Sequence, residues 1–325
     1  MAHATYPSGR WSESRGRSAE RPRDIPAPGW RDILWRVKER ISRDNLSIIA
    51  AGVAFYALMA IFPALIALVS VYGMLFDPEQ VTNQVAALRG VLPGEAADLL
   101  LQQLGELTSM DRTSLGVGSI AAILVAMWSA SAGMRTLMQA LDVAYEEKEK
   151  RGTIRFYATA LLLTLGAIVA AAVSIAVVVA LPAVLKFLGL GTLLENVISY
   201  ARWPLLTAGM IVGLAVLYRY GPDRREPQWR WVTWGAAIAT FMWLAGSALF
   251  SLYVTQFGNY NKTYGSMGAV VILLTWFLLT AYVLLIGAEV NAEMERQTRK
   301  DTTDGAARPL GRRGAHAADT VGRTP

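Results

Sequence analysis

FYATALLLTLGAIVAAAVSIAVVVALPAVL, residues 156–185, runs for 30 residues without an Asp, Glu, Lys, Arg or His. A helix rises ~1.5 Å per residue and the hydrocarbon core of a bilayer is ~30 Å thick, so this stretch is long and apolar enough to cross it. Five others share the character: residues 48–75, 115–134, 203–218, 231–256 and 265–288, none of which contains an ionisable Asp, Glu, Lys, Arg or His. The stretch 203–218 is short at 16 residues and is expected to extend back toward Ile198. The pattern predicts an all-α polytopic membrane protein with six transmembrane helices.

Composition agrees. The 325 residues are 54% hydrophobic and 17% charged, with mean hydropathy +0.34. A soluble domain carries roughly 25% charged residues, and a disordered chain needs low hydrophobicity. The chain has no cysteine, which excludes disulfides, thiolate metal sites and cysteine nucleophiles. Its two histidines, His3 and His316, lie in polar stretches near the chain ends, so neither is expected as a buried base or metal ligand. Neither a cofactor nor a metal is expected.

The basic residues set the orientation. Of 31 Lys and Arg, 26 fall in residues 1–47, 135–155, 219–230 and beyond 288, and only five in the alternate connections. The split places both termini in the cytoplasm. It also accounts for the net charge of +6 without a nucleic-acid partner. Trp229, Trp231 and Trp234 cluster at the inner start of the fifth stretch and Trp203 at the outer start of the fourth, as interfacial belts require.

Three domains follow. Residues 1–29 hold five arginines, with Pro22, Pro26 and Pro28 among them and no apolar block, and read as a disordered basic tail rather than a signal peptide. Residues 30–298 form the membrane domain. Residues 299–325, rich in Ala, Gly and Arg, read as a second disordered cytoplasmic tail. Within 30–44, Trp30, Leu34, Val37 and Ile41 recur at helical spacing among five basic residues. This predicts an amphipathic helix lying on the inner leaflet, with anionic lipids as partners. Residues 76–114 carry six acidic side chains, and Leu100, Leu104 and Leu107 suggest a short helix over the outer face. FGNYNKTY, residues 257–264, suits a tight turn.

Ionised groups in hydrocarbon usually mark function, so their absence from all six stretches disfavours a pump built on a midplane carboxylate. Polar residues gather instead at the cytoplasmic ends: Asn45, Ser129, Arg135, Asp142, Arg219, Glu289 and Asn291. Glu289 is expected either to pair with Arg135 or Arg219 beneath the bundle, or to reach water independently. Pro63 removes one backbone hydrogen bond from the first stretch and is the candidate kink, for packing or for lining a path. Small residues four apart, Ala122, Ala126 and Ala130 and then Gly209 and Gly213, are expected to let helices approach within the bundle.

Several separated motifs resemble one family in the same order. They are AAGVAFYALMAIFP (50–63), WSASAGMRTLMQALDVAYE (128–146), LYRYGPDRR (217–225), LFSLYVTQFGNYNKTYGSMGAVVILLTW (249–276) and LLIGAEVNAE (284–293). The family is the YihY/BrkB-like inner-membrane proteins, and the likeness runs from about residue 30 to 298. The family often has Asn where this chain has Asp142. The resemblance implies a six-span protein of the bacterial inner membrane with an envelope or transport role, and it supplies no catalytic residues. The family's former ribonuclease label fits these residues poorly, because hydrolytic nucleases need a metal cluster or a positioned acid–base pair. The expected function is therefore non-enzymatic: transport or lipid translocation in the cell envelope, or alternatively a scaffold for envelope partners.

Overall fold

The computed structural model describes residues 14–75, 117–180, 192–256 and 266–324. The expected outer-face helix in 76–114 and the turn at 257–264 lie outside the described residues. Among the described residues there are seven helices of more than two turns: α1 Ala27–Arg43, α2 Leu46–Leu75, α3 Val117–Ala144, α4 Thr153–Ile175 with a π-helical turn Ala176–Ala180, α5 Thr192–Tyr220, α6 Trp229–Gln256 and α7 Ser266–Glu295. A short α8, His316–Asp319, closes the described chain. The one β feature among the described residues is an isolated bridge between Pro227 and Thr303.

Among the described residues four helices are long and apolar enough to cross a membrane: those over Thr153–Val178, Val197–Tyr220, Trp229–Thr255 and Val270–Glu295. A fifth is counted if α1 and the first part of α2 form one bent span. The apolar side chains of these helices point outward: Leu162, Leu205 and Phe241 are each at least 60% exposed. In water so large an apolar surface would drive association; against lipid it costs nothing.

Helix pairing joins chain neighbours and also brings α7 back to α2. The closest partners are α2 with α3, α6 with α7, and α7 with α2. Where α6 crosses α7, a Cβ added to Gly235 would lie 2.4 Å from the Gly287 carbonyl, and one added to Gly287 would lie 2.7 Å from the Ala239 Cβ. Only glycine lets the two backbones approach this closely. Gly209 and Gly213 do not act in this way: a Cβ on either meets nothing within 4 Å among the described residues. Ala130 does pack, beside Gly133, which rests on Ala57 and Ala60 of α2.

The tightest packing lies at the end of the bundle where the termini meet. Tyr145, Tyr218, Leu141, Leu285 and Ala288 form one buried cluster there, and Ile33, Val37, Trp231 and Met294 a second. Trp231 is thus interior rather than interfacial, while Trp229 and Trp234 remain exposed. The axes of α1 and α2 meet at 67°. Asn45 sits at this break with φ 49°, in the left-handed region that Asn tolerates better than most residues. Helix α2 continues through Pro63.

The described parts of the terminal segments, residues 14–29 and 299–324, pack against each other and against the bundle. Arg17, Ala19 and Ile25 are buried, and so are Thr302, Arg313 and Ala317. The Arg299 N–H donates to the Arg17 carbonyl at 2.9 Å, and Arg17 Nη2 donates to the Gly322 carbonyl at 2.7 Å. Over these described residues the packing departs from the expected disordered tails: backbone carbonyls accept from the Arg17 guanidinium, and Ala19 and Ile25 join the apolar cluster of Ile33, Val37 and Trp231.

Candidate functional site

Helical spacing puts Arg36 and Arg40 of α1 on one face and Glu289 and Glu293 of α7 on another. The two faces meet. Arg36 Nε pairs with Glu293, and Arg36 Nη2 donates to Gln297 Oε1 at 2.7 Å and to the Glu293 carbonyl at 3.1 Å. Arg40 Nε lies 2.9 Å from Glu289 Oε2 and its Nη1 donates to Glu293 Oε1 at 3.2 Å. Arg40 also reaches Glu146 at 3.3 Å and Asp44 at 3.4 Å, and Arg296 reaches Glu293 at 2.8 Å. Both glutamates are fully buried and the two α1 arginines nearly so. Two like charges four residues apart on a helix repel, so Glu289 and Glu293 require the arginines that face them. Losing one member of such a buried network leaves an uncompensated charge, at a cost of about 3–5 kcal/mol.

This assigns Glu289 a partner other than the expected ones. Arg135 instead bonds Ser131 and the Trp128 carbonyl on its own helix. Its guanidinium lies 4.9 Å from the Tyr157 ring centre and 5.5 Å from that of Trp128, while those two rings stack at 4.7 Å. Arg219 bonds Glu226 at 2.9 Å, Asp304 at 2.7 Å and the Pro227 carbonyl, and lies over Trp229. Arg40 was missed because its helix reads as lipid-facing. In fact α1 turns Arg36 and Arg40 inward and leaves Leu34 and Trp35 exposed. The i, i+4 match of two arginines to two glutamates was the available signal.

The remaining residues singled out by sequence have separate places. Asn291 accepts from the Gly235 N–H at 2.9 Å and donates to the Val232 carbonyl at 3.3 Å, tying α7 to the start of α6. Ser129 is half-buried, and Asn45 is exposed at its break. Asp142 lies eight residues past the apolar stretch of α3, is buried, and accepts from the Asp223 N–H at 2.7 Å, while its Oδ2 has no partner. Burial pushes its carboxyl up to about 6.

A second buried pair was not anticipated. Arg224 Nη2 contacts both oxygens of Glu295 at 2.7 Å, with both side chains fully buried, and Thr302 donates to Glu295 at 2.8 Å. The Arg224 guanidinium lies 4.6 Å from the Tyr145 ring centre, and burial raises the Tyr145 phenol above its ordinary range. Glu147, which accepts from the His316 N–H at 2.5 Å, is also raised by burial. Among the described residues no group of three or more His, Cys, Asp or Glu is placed to hold a metal ion.

These arrangements fasten helices and tails to one another, and comparison with known proteins places them in context. A family model described as virulence factor BrkB matches residues 37–310. The ribonuclease-like protein YfkH of Bacillus subtilis (strain 168) is 30% identical over 258 residues, covering 77% of this chain and 90% of that protein. The UPF0761 membrane protein YihY of Escherichia coli O1:K1 / APEC is 26% identical over 277 residues, covering 84% of this chain and 91% of that one. No solved structure matches significantly. With α1 to α7, both glutamates and both arginines inside or beside the matched residues, the chain belongs to the YihY/BrkB family of membrane proteins.

Proposed function

We propose that this protein crosses the cell inner membrane six times with both termini in the cytoplasm, is not an enzyme, and moves a solute or a lipid across that membrane. The observation that carries the reading is the buried Arg36/Arg40–Glu289/Glu293 network. It joins α1, which bends 67° from α2 at the end of the bundle, to the last turns of α7. A charged clasp at one mouth of an apolar bundle is the kind of element that closes one side of a translocation path and must break for the other state to form. Two further features support the reading. The described parts of the N- and C-terminal segments touch each other, which is what an even number of crossings between them would give. The exposed face of α1 carries Leu34 and Trp35 beside Arg31 and Lys38, a surface suited to the anionic inner leaflet. Buried Glu289, Glu293 and Glu295 are each held by an arginine, and the proposal includes neither nucleic acid nor a catalytic metal.

The test is reconstitution. Proteoliposomes holding the protein and an NBD-labelled phosphatidylglycerol or phosphatidylethanolamine are treated with dithionite, and a parallel set is loaded with radiolabelled solutes. Movement above protein-free vesicles is expected, with the rate changed several-fold by Arg40→Gln and brought back toward wild type by Arg40→Gln with Glu289→Gln. Rates equal to protein-free vesicles for every lipid and solute overturn translocation and leave a scaffold as the better reading.

A further inference from the structure

Beside the ion-pair base lies a cavity of about 560 Å³, walled by the α3–α4 connection, the α5–α6 connection and the segment around α8. Its volume falls in the range of small-molecule sites. The acids in its wall are already committed. Glu147 accepts the His316 N–H at 2.5 Å, and Asp223 accepts the Lys150 N–H at 2.6 Å. Asp319 accepts the N–H groups of Gly311, Arg313 and Gly314, and Glu146 is shared among Arg40, Arg43 and His316.

Three of the cations in the wall are not. The side chains of Lys148, Lys150 and Arg155 line the cavity, with no ion pair or hydrogen bond to any described residue. Two arginines behind them hold buried donors without acceptors: Nε and Nη1 of Arg224, whose side chain is fully buried, and Nη1 of Arg225. A buried guanidinium N–H left unpaired costs more than a neutral one. What the cavity lacks is therefore negative charge and oxygen acceptors, presented on a group compact enough to meet several donors at once. A phosphate oxyanion has that chemistry, and arginine forks and lysine ammonium groups are its usual partners.

We propose that this cavity binds a phosphate-bearing anion, with Lys148, Lys150 and Arg155 capturing it and the Arg224 and Arg225 guanidinium groups adding positive charge from the wall behind them. The site lies outside the apolar spans and does not depend on the translocation reading. The same chemistry has two sources, a phosphorylated solute or the headgroup of an anionic lipid, and the cavity is large enough for a sugar phosphate.

The full chain is placed in nanodiscs of phosphatidylcholine alone and titrated with inorganic phosphate and with glucose 6-phosphate. A second set carries phosphatidylglycerol in place of added ligand and is read by thermal stability. Saturable binding in the neutral discs, or stabilisation by phosphatidylglycerol, is expected, and either is weakened at least about tenfold in ligand or lipid concentration by K148Q/K150Q/R155Q. These three side chains are exposed and bond nothing, so the variant keeps the wild-type melting temperature in neutral discs without ligand. Glucose 6-phosphate binding assigns a solute; an effect confined to phosphatidylglycerol assigns a headgroup. The proposal is overturned if no probe binds, if the triple variant binds as wild type, or if R31Q/K38Q on α1 weakens binding as much.

Discussion

Asp142 shows what one atom decides at the residue scale. Its Oδ1 is used, holding the Asp223 N–H at 2.7 Å, but its Oδ2 is buried without a donor. At neutral pH the fold therefore carries a buried carboxylate that only one hydrogen bond offsets. Below about pH 4 the group is a neutral acid whether the chain is folded or not. Between about pH 4 and pH 6 the folded chain keeps a proton that the unfolded chain has lost, so stability falls as pH rises, and above pH 6 the loss is complete. Asn keeps the acceptor and removes the charge. Asp142→Asn is expected to raise the melting temperature of the detergent-solubilised protein at pH 7.5, with the gain shrinking toward pH 4.5. A gain that is equal at both pH values, or a loss at pH 7.5, means that burial does not govern this carboxyl. The resemblance noted Asn as the family's frequent residue here, and the structure supplies a physical reason why an amide fits: one acceptor is required and a second oxygen is not.

At the scale of elements, the helices themselves were legible because a run of apolar residues without charge has few alternatives to a buried or lipid-facing helix. Their partners were not. Gly209 and Gly213 satisfy the small-residue spacing rule, yet a Cβ on either would meet nothing within 4 Å among the described residues, whereas Gly235 and Gly287 lie on different helices and form no spacing pattern in the sequence. The rule reads one helix at a time; close approach depends on two. The same blindness hid the Arg40–Glu289 pair, which joins positions 249 residues apart, and left unread that Arg36, Val37 and Arg40 of α1 turn inward. An alternation of arginines with Leu, Trp and Val fits a lipid-facing helix and an ion-paired one equally, and only the presence of Glu289 and Glu293 on the facing helix decides between them. The crossing of α6 and α7 gives a direct check. Gly287→Val would drive its side chain against the Tyr218 hydroxyl, 2.5 Å from the ideal Cβ, and displace that hydroxyl from the Leu284 carbonyl it bonds at 2.8 Å. Overpacking of this kind costs about 1–3 kcal/mol, and the lost buried hydrogen bond adds to it. Gly209→Ala should stay within about 0.5 kcal/mol of wild type. Unfolding followed by tryptophan fluorescence in a denaturing detergent series compares the two; equal destabilisation would mean that the α6–α7 crossing is not a close contact.

At the scale of the whole molecule, the two ends of the chain decide the topology together. Residues 15–17 bond residues 296–299 and 322, so whatever side holds one terminal segment holds the other. Between them stand six long helices, α2 to α7, and four of these meet the length and hydropathy needed to cross on their described residues. An even count of six requires α2 and α3 to cross as a pair; a count of four requires both to stay on the terminal side. Position 108, between α2 and α3, separates these possibilities. The chain has no cysteine, so single-cysteine variants report cleanly. Ser18→Cys and Leu310→Cys replace exposed positions in the terminal segments, and Thr108→Cys and Asn261→Cys lie between α2 and α3 and between α6 and α7. With a membrane-impermeant maleimide on intact spheroplasts, the variants at 108 and 261 are expected to label at once. Those at 18 and 310 should label only after permeabilisation, because the lysine and arginine bias holds their side of the membrane inward. Labelling at 108 that follows 18 and 310 would remove α2 and α3 from the membrane and reduce the crossings to four. Labelling of 18 and 310 on opposite faces would break the contact between the terminal segments on which the even count rests.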